Sequence, residues 1–228
     1  MQAVRNIQTD CPQVNGSIHM ARTQAQRSAA TQQALLSAAR RLWGDRGYAA
    51  VSTPEIARAA GVTRGAMYHQ YPDKAKLFLA VLEAVESDVI ERLSAIVVAK
   101  QPQTPADALR ISADAWVDIA SEPEVRQLVL LDAPSILGWA GFREISLQYG
   151  LGMTEQLLRA AIDAGELKPQ PTRPLATVMI GALDEGAMSI ANADDPEQEK
   201  SDVRNVIHSL IEGLLSDPDR AASTQHRS

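Results

Sequence analysis

The chain has 228 residues, of which 45% are hydrophobic, one cysteine and a formal net charge of −6. The lone Cys11 cannot form an internal disulfide, and the N-terminus lacks the basic-then-apolar pattern of a secretory signal. The longest apolar stretches, such as residues 175–183, are far too short to span a bilayer. We therefore expect a cytoplasmic protein with no membrane contact, folded into one small and one larger domain.

Signatures of catalysis and metal binding are missing from the sequence. It contains no Gly-x-Ser-x-Gly elbow, no phosphate loop and no recognisable acid–base pair. The four histidines are far apart in sequence and have no cysteine or carboxylate at ligand spacing: His19, His69, His208 and His226. The sequence therefore favours neither an enzyme nor a protein with a metal or cofactor.

The charge is divided unequally along the chain. Residues 1–76 contain ten Lys or Arg and four Asp or Glu, a net charge of +6, whereas residues 77–228 carry −12. Such a protein is expected to meet nucleic acid at its basic end and to repel it elsewhere. Any one arginine on a helix is by default a solvated surface charge, so Arg40, Arg41, Arg46 and Arg58 indicate DNA only as a group.

The N-terminal part divides into a leader and a helical domain. Residues 1–20 show no periodicity, and we interpret residues 1–27 as a flexible leader in which Arg22 and Arg27 either reach DNA as an arm or are simply disordered. Residues 28–76 are predicted to form a helix–turn–helix domain. Its first helix has apolar side chains at core spacing, namely Leu35, Ala38, Ala39, Leu42 and Trp43.

Residues 52–74 predict two short helices joined by a glycine-containing turn. Thr53 is a good N-cap for the first helix, with Pro54 at the first helical position. Gly61 can adopt the left-handed conformation that ends this helix. Thr63 can then cap a second helix that runs to about Gln70.

The second short helix has an outer face suited to a DNA major groove, which is about 12 Å wide and admits a helix. Arg64 can bind a guanine edge or a phosphate, Tyr68 offers a phenolic donor, and His69 can contact a base. Lys74 and the free N–H groups at the start of the next helix are expected beside backbone phosphates. The predicted DNA-contacting residues are Thr53, Thr63, Arg64, Gly65, Ala66, Tyr68, His69, Gln70 and Lys74.

A long helix is predicted to start near Pro72, because apolar residues recur at three- and four-residue steps for about 25 residues. Further helices are predicted to begin at Thr104-Pro105, at Ser121-Glu122-Pro123 and near Phe142. Between the last two, Pro134 and Gly138 are expected to kink or end the helix.

Bulky and adaptable side chains surround this break, where a pocket can form. From the residues alone, plain core packing is the default explanation for each of them. Asp132, Arg143 and Glu144 are candidates for the polar groups of such a pocket, or they pair with each other at the surface. The pocket candidates are Trp116, Leu128, Leu131, Ile136, Trp139, Phe142, Tyr149 and Met153.

The last two predicted helices cover about residues 172–192 and 197–215. Each has an apolar face, and Gly181 and Gly186 permit close approach of a neighbouring helix. A dimer is also expected from the DNA, because two recognition helices reach successive major grooves about 34–36 Å apart. The expected operator is an inverted repeat.

The motif at residues 52–74, the helix before it and the Gly47-Tyr48 turn resemble the DNA-binding domain of the TetR-type bacterial repressor family over about residues 32–79. The family often shows Tyr-x-His-Phe at the end of the recognition helix, whereas this chain has Tyr68-His69-Gln70-Tyr71. Gln70 thus stands where that His contacts phosphate, and Tyr71 is expected to replace the Phe in the core.

The resemblance implies an all-α fold, in which the N-terminal three-helix domain is followed by a larger helical domain for ligand binding and dimerisation, residues 77–216. We interpret residues 217–228 as a flexible tail. The resemblance implies that the long helix transmits ligand binding to the DNA-binding domains, whereas the apolar pattern alone indicates only a structural helix that joins the two domains. It also implies a four-helix dimer interface, with candidate residues Val178, Ala182, Ile207, Leu210, Ile211 and Leu214.

On this basis we predict a homodimeric repressor of double-stranded operator DNA, released by a small apolar or amphipathic effector. An activator, or a regulator without a small-molecule effector, is the alternative.

Overall fold

The computed structural model describes residues 23–216, which fold into helices and connecting loops with one isolated bridge between Leu167 and Leu215. The prediction of an all-α protein is confirmed. The predictions for residues 1–22 and for the tail lie outside the described residues. The helices are α1 (Gln24–Arg46), α2 (Thr53–Ala59), α3 (Arg64–Gln70), α4 (Lys74–Lys100), α5 (Pro105–Ala120), α6 (Pro123–Val125) with the π-helical segment Arg126–Asp132, α7 (Ala133–Asp163), α8 (Thr172–Asn192) and α9 (Pro196–Leu214).

Helix α1 begins earlier than the sequence indicated. The Thr23 hydroxyl accepts a hydrogen bond from the Gln26 N–H at 3.2 Å, and the Gln26 side chain accepts one from the Thr23 N–H at 2.9 Å. This capping box satisfies two of the free N–H groups at the helix start. Residues 24–27, assigned from the sequence to the leader, are therefore helical, and Arg27 belongs to α1 rather than to an arm.

The helix–turn–helix is capped largely as predicted. Gly61 ends the turn after α2 with φ of 66°, and the Thr63 hydroxyl accepts a hydrogen bond from the Ala66 N–H at 3.1 Å. The prediction that Thr53 is the N-cap of α2 is wrong. Ser52 holds that position, because the backbone of Thr53 is already helical and its hydroxyl meets α3 instead.

Aromatic side chains hold the N-terminal helices against the start of α4. Trp43 and Phe78 are fully buried, with ring centroids 5.6 Å apart, and Tyr48 packs edge-on to Phe78 at 5.2 Å. Met67 of α3 and Tyr71 are buried in the same core, as expected for Tyr71. Helix α3 is therefore fixed on its inner side by apolar packing, which leaves its other side free.

Helix α4 is common to both parts of the molecule. Its 27 residues extend about 40 Å at 1.5 Å per residue. The core that starts around Leu35 in α1 continues along α4 to α7 and α8 without a break. The N-terminal helices are therefore packed on the C-terminal part as one continuous core.

Polar contacts reinforce the junction between the N-terminal helices and the C-terminal part. The guanidinium of Arg40 donates to both carboxylate oxygens of Glu124 at 2.9 and 2.8 Å, and it also pairs with Asp88 on α4. The N–H of Tyr48 donates to the Asp132 carboxylate at 2.8 Å. Glu124 belongs to α6 and Asp132 ends the π-helical segment. The region after α5 is therefore bonded directly to α1 and to the turn that follows α1.

The predicted break in the middle of the C-terminal part is present. Gly138 has φ of 69° and ψ of 168°, a conformation that interrupts α7 after its first turns and that glycine adopts without a Cβ penalty. Pro134 stands in the first turn of α7, where its missing N–H costs little. The π-helical segment before it had no signal in the sequence, because it has the same apolar spacing as an α-helix.

Helices α8 and α9 lie against each other as a hairpin. A Cβ placed on Gly186 would stand 2.7 Å from a methyl carbon of Val203, so the glycine is what permits this close approach. Ile207 and Ile211 of α9 are buried against Ala113 of α5. The predicted small-residue contact therefore occurs within one chain.

Candidate DNA interface and C-terminal cavity

The outer face of α3 is exposed over its whole length. Arg64, Gly65 and His69 are exposed and Tyr68 is 38% accessible, whereas Met67 on the opposite side is fully buried. A Cβ added to Gly65 would meet nothing within 4 Å among the described atoms, so this glycine leaves room for another molecule to approach the backbone. Such a convex, basic helix face fits a major groove.

Three side chains at the junction of α2 and α3 are organised around the Tyr68 phenol. Its oxygen lies 3.1 Å from the Thr53 hydroxyl, and the Arg64 guanidinium lies 5.5 Å from the ring centroid. The hydrogen bond with Thr53 and then the nearby Arg64 lower the pKa of Tyr68. Thr53, Arg64 and Tyr68 therefore lie together at the exposed junction of α2 and α3.

Two predicted phosphate contacts are used inside the protein. The Gln70 amide donates to the Ser28 hydroxyl at 2.8 Å, and the Lys74 ammonium donates to the Tyr48 carbonyl at 2.6 Å while lying 3.9 Å from the Tyr48 ring centroid. Burial lowers the pKa of Lys74. The start of α4 is also less open than expected, because the Asp73 carboxylate accepts from the Lys76 N–H at 2.7 Å.

A cavity of about 60 Å³ lies in the C-terminal part and is lined by residues of α4, α5, the π-helical segment, α7 and α8. Its lining is mostly apolar and includes two carboxyl groups and three hydroxyl groups. The lining residues are Glu86, Val89, Ile90, Leu93, Ser112, Trp116, Val129, Phe142, Ser146, Gly150, Met153, Thr154, Ile180, Leu183 and Asp184. This volume holds a few water molecules, so an organic ligand needs some of these side chains to move apart.

Two acidic residues, Asp184 and Glu86, line the cavity in different surroundings. Asp184 is buried and accepts hydrogen bonds from Arg143 at 2.9 Å and from the Ser146 hydroxyl at 2.5 Å. Burial outweighs these two partners and raises the pKa of Asp184 to about 6. Glu86 is 6% exposed, and burial together with the charge of Asp184 raises the pKa of Glu86 to about 8. Within residues 23–216, no hydrogen-bond donor or cation pairs with the Glu86 carboxyl, whose pKa reflects only burial and the charge of Asp184.

Known proteins resemble the chain in both parts. Residues 35–81 match the model for bacterial regulatory proteins of the tetR family, and residues 106–214 match a tetracyclin repressor-like C-terminal domain. A crystal structure of a TetR-family transcriptional regulator from Pectobacterium atrosepticum is 31% identical, with a TM-score of 0.77, over 86% of this chain and 100% of that one. The chain belongs to the TetR family.

One further relative and one further solved structure resemble the chain. The TetC protein of transposon Tn10 from Escherichia coli is 28% identical over 186 residues, which are 81% of this chain and 90% of TetC. RolR, solved with its ligand resorcinol, is 18% identical, covers 90% of this chain and 97% of its own, and has a TM-score of 0.67, a likeness of fold. The protein is therefore a TetR-family transcriptional regulator with a DNA-binding domain.

In this TetR-family chain, three of the predicted pocket residues line the cavity: Trp116, Phe142 and Met153. The other five lie elsewhere. Leu128 is fully buried in the core, Trp139 is 57% exposed because Gly138 turns the chain outward, and Leu131, Ile136 and Tyr149 pack at the edge of the core.

The polar candidates also separate. Arg143 reaches Asp184 at the cavity, Asp132 holds the Tyr48 N–H, and Glu144 is exposed. The alternative that these three pair with each other is wrong.

Sequence reasoning missed Glu86, Ser146 and Asp184, although a signal for the two acids was available. Glu86 falls between Leu82 and Val89 on the buried stripe of α4. Asp184 occupies the equivalent place between Ile180 and Ala187 on α8. Burying a carboxylate within an apolar stripe costs free energy unless the group has a partner. Its presence there therefore indicates either a partner or a functional site.

The six predicted interface residues of this TetR-family protein divide into two groups. Val178 and Leu210 are 68% and 53% exposed, and the neighbouring Val206 is 59% exposed. Ile207 and Ile211 are buried within the same chain, and Ala182 packs against their cluster. Leu214 is partly buried against a second apolar cluster, which contains Leu158 and Leu167. The assignment of Ile207 and Ile211 to a surface that meets another subunit is wrong, because both side chains face α5 and α8.

No helix in the range 23–216 is both long and apolar enough to cross a membrane. In the same range, His, Cys, Asp and Glu side chains do not gather in groups of three that suit a metal ion.

Proposed function

We propose that the protein is a homodimeric transcriptional repressor that binds an inverted-repeat operator and is released from it by a small molecule in the C-terminal cavity. The observation that carries the proposal is the shared helix α4. Its first residue, Lys74, lies beside the exposed α3, and its middle contributes Glu86, Val89, Ile90 and Leu93 to the cavity. A change in the cavity wall therefore acts on the element that holds the recognition helix.

The junction between the N-terminal helices and the body supports this coupling. Arg40 joins α1 to both Glu124 and Asp88, and Asp132 holds the Tyr48 N–H. Since the N-terminal helices share one core with α4 and the π-helical segment, they follow these elements when they move. An effector can shift DNA binding only by its different affinity for the two arrangements, and a hundredfold release requires about 2.7 kcal/mol.

The dimer is proposed to form through α8 and α9. Val178, Val206 and Leu210 are exposed apolar side chains on the hairpin of these two helices. Ile207 and Ile211, which follow Val206 and Leu210, hold α9 to the body and so fix the outer face of the helix. A two-fold axis through this face would place a second α3 on the same DNA.

The cavity is the proposed effector site. RolR, which has the same fold, was solved with its ligand resorcinol, so this architecture can hold a small organic molecule. The cavity of this chain combines the aromatic walls of Trp116 and Phe142 with buried polar groups, the composition of many ligand sites.

Selection from a random DNA pool with the purified protein tests the proposal. We expect an inverted repeat whose half-sites are spaced for two α3 helices, and repression of a reporter that carries this sequence. Loss of repression on adding a compound that fills the cavity completes the test. A single, non-repeated half-site contradicts the dimer, and activation of the reporter contradicts the repressor.

A further inference from the structure

We propose that the effector of this regulator is a small organic cation, an amphipathic molecule whose protonated amine pairs with the Glu86 carboxylate. This inference rests on the proposed function and names the chemical class of its ligand. It starts from the position of Glu86, whose side chain is almost fully buried yet lines the cavity and lacks a partner among the described residues.

The charges around the cavity leave Glu86 without a counterion. Two carboxyl groups, Glu86 and Asp184, line it, and the one guanidinium nearby within residues 23–216, that of Arg143, contacts Asp184. Arg143 is already used: it donates to Asp184 at 2.9 Å and to the Thr177 carbonyl at 3.3 Å. A ligand that carries one positive charge and N–H donors supplies what Glu86 lacks, whereas a neutral hydroxyl supplies a donor but no charge.

The remaining groups that face Glu86 do not supply a cation. Asp184 on α8 is acidic, and Tyr149 on α7 is a neutral phenol whose pKa is raised by burial and by the charges of Glu83 and Glu86. Helix α5 contributes Ser112 and Trp116, and the π-helical segment contributes Val129, none of which titrates near neutral pH. The described surroundings of Glu86 are therefore acidic or neutral, apart from the Arg143 that Asp184 holds.

The apolar walls fit the rest of such a ligand. Trp116 and Phe142 present aromatic rings to the cavity, and a cation near a ring face gains a further attraction. Met153 is unbranched and adapts its shape readily, so it can make room beyond the present 60 Å³. A compact body of one ring with a short ammonium arm matches this combination.

Binding should be coupled to the release of a proton. Because the pKa of Glu86 in the empty cavity is raised to about 8, this carboxyl is mostly neutral at pH 7. An ammonium group favours the ionised form, so Glu86 loses its proton when the amine binds. Affinity for amines should therefore rise from pH 6 to pH 8.5, a range in which alkylamines stay protonated.

The test compares benzylamine with benzyl alcohol, and 2-phenylethylamine with 2-phenylethanol, by calorimetric titration of the full-length dimer. At pH 8 we expect each amine to bind about tenfold more tightly than its alcohol, the gain from one buried charge-assisted hydrogen bond. Amine affinity should fall as the pH is lowered to 6, and alcohol affinity should not. Equal affinities within each pair, no amine binding at millimolar concentration, or a flat pH profile for the amines overturns the proposal.

Two variants assign the effect to one side chain. Glu86→Gln keeps the size of the side chain and should abolish the preference for amines, with alcohol affinity changed less than twofold. Glu91→Gln, on the exposed side of the same helix, should behave as the wild-type protein. Thermal unfolding verifies that each variant is folded, and the wild-type pH profile tests the proposal independently of any variant. An amine preference that persists in Glu86→Gln overturns the assignment.

The proposed function is tested separately with the selected operator. An amine that binds through Glu86 without releasing the operator contradicts effector control and leaves the cation site standing. Release from the operator by another class of compound, without any preference for amines, contradicts the cation site. That result is still consistent with the proposed repressor.

Discussion

Arg64 and Tyr68 are the residues through which α3 is expected to read DNA. Arg64 lies on the exposed face near the Tyr68 ring, and its guanidinium can form two hydrogen bonds with one guanine. Replacing Arg64 with Ala should reduce the preference for operator over random DNA by about 1–3 kcal/mol. Arg58→Ala, a change of the same size on the exposed side of α2, is the control. Competition binding at fixed salt measures both, and equal losses on operator and random DNA would remove Arg64 from base reading.

Lys74 illustrates how the structure changes a prediction made from sequence. Its ammonium donates to the Tyr48 carbonyl and lies over the Tyr48 ring. Replacing Lys74 should therefore affect the stability of the N-terminal helices as well as DNA binding. The pattern around Pro72 predicted the helix start correctly. It did not reveal the Tyr48 contact, because that contact depends on how the turn after α1 packs on α4.

Glu86 should make the folded protein less stable as the pH rises. Its pKa is raised to about 8 in the folded protein, above its ordinary value of 4.5, so the folded state holds a proton that the unfolded state has lost. Stability from this group is therefore fully present below pH 4.5 and is lost as the pH rises through 8. Glu86→Gln should remove this loss and raise the free energy of unfolding at pH 8 by a few kcal/mol.

The measurement for Glu86 is denaturant unfolding at pH 5, 7 and 9, with Glu91→Gln as the control. The gain from Glu86→Gln should grow with pH. An equal effect at all three values would mean that the carboxyl is ionised throughout.

At the scale of the elements, the packing of α1 on α6 contributes to the stability of the contact between the N-terminal helices and the C-terminal part. The Arg40 guanidinium forms a bidentate ion pair with Glu124 and also pairs with Asp88. These contacts raise the pKa of Arg40. Because the pair is partly exposed, Arg40→Ala should cost only about 1 kcal/mol of stability. It should also weaken the response of operator binding to an effector. Arg41→Ala, an exposed neighbour, should do neither in unfolding and DNA-release assays.

Helices were more predictable than the cavity for a physical reason. Local signals such as Thr63, Gly61 and Thr104-Pro105 act within one turn of chain, and the structure places each at the helix end where it was expected. The cavity brings together five separate elements, and the lining residue Ile90 looks on α4 like any core residue. Trp139 was misplaced because the left-handed Gly138 turns it outward, which composition does not reveal.

At the scale of the whole molecule, the exposed apolar side chains of α8 and α9 test the dimer. Leu210→Glu should give a monomer in light scattering, because a buried charge in a two-fold interface appears twice and faces its own copy. Operator binding should fall with it, since two half-sites are no longer held together. Val98→Glu changes a residue that is 75% exposed on α4 and should remain dimeric. A Leu210→Glu protein that stays dimeric would place the interface elsewhere.

The three tryptophans occupy three different environments. Trp43 is fully buried among the N-terminal helices, Trp116 lines the cavity, and Trp139 is 57% exposed after the Gly138 kink. Indole emission depends on its surroundings, so the chain contains three built-in optical reporters, one for the head, one for cavity occupancy and one for the solvent-facing bend. Variants that retain one indole each would let unfolding of the head and filling of the cavity be followed separately by fluorescence, with no attached dye.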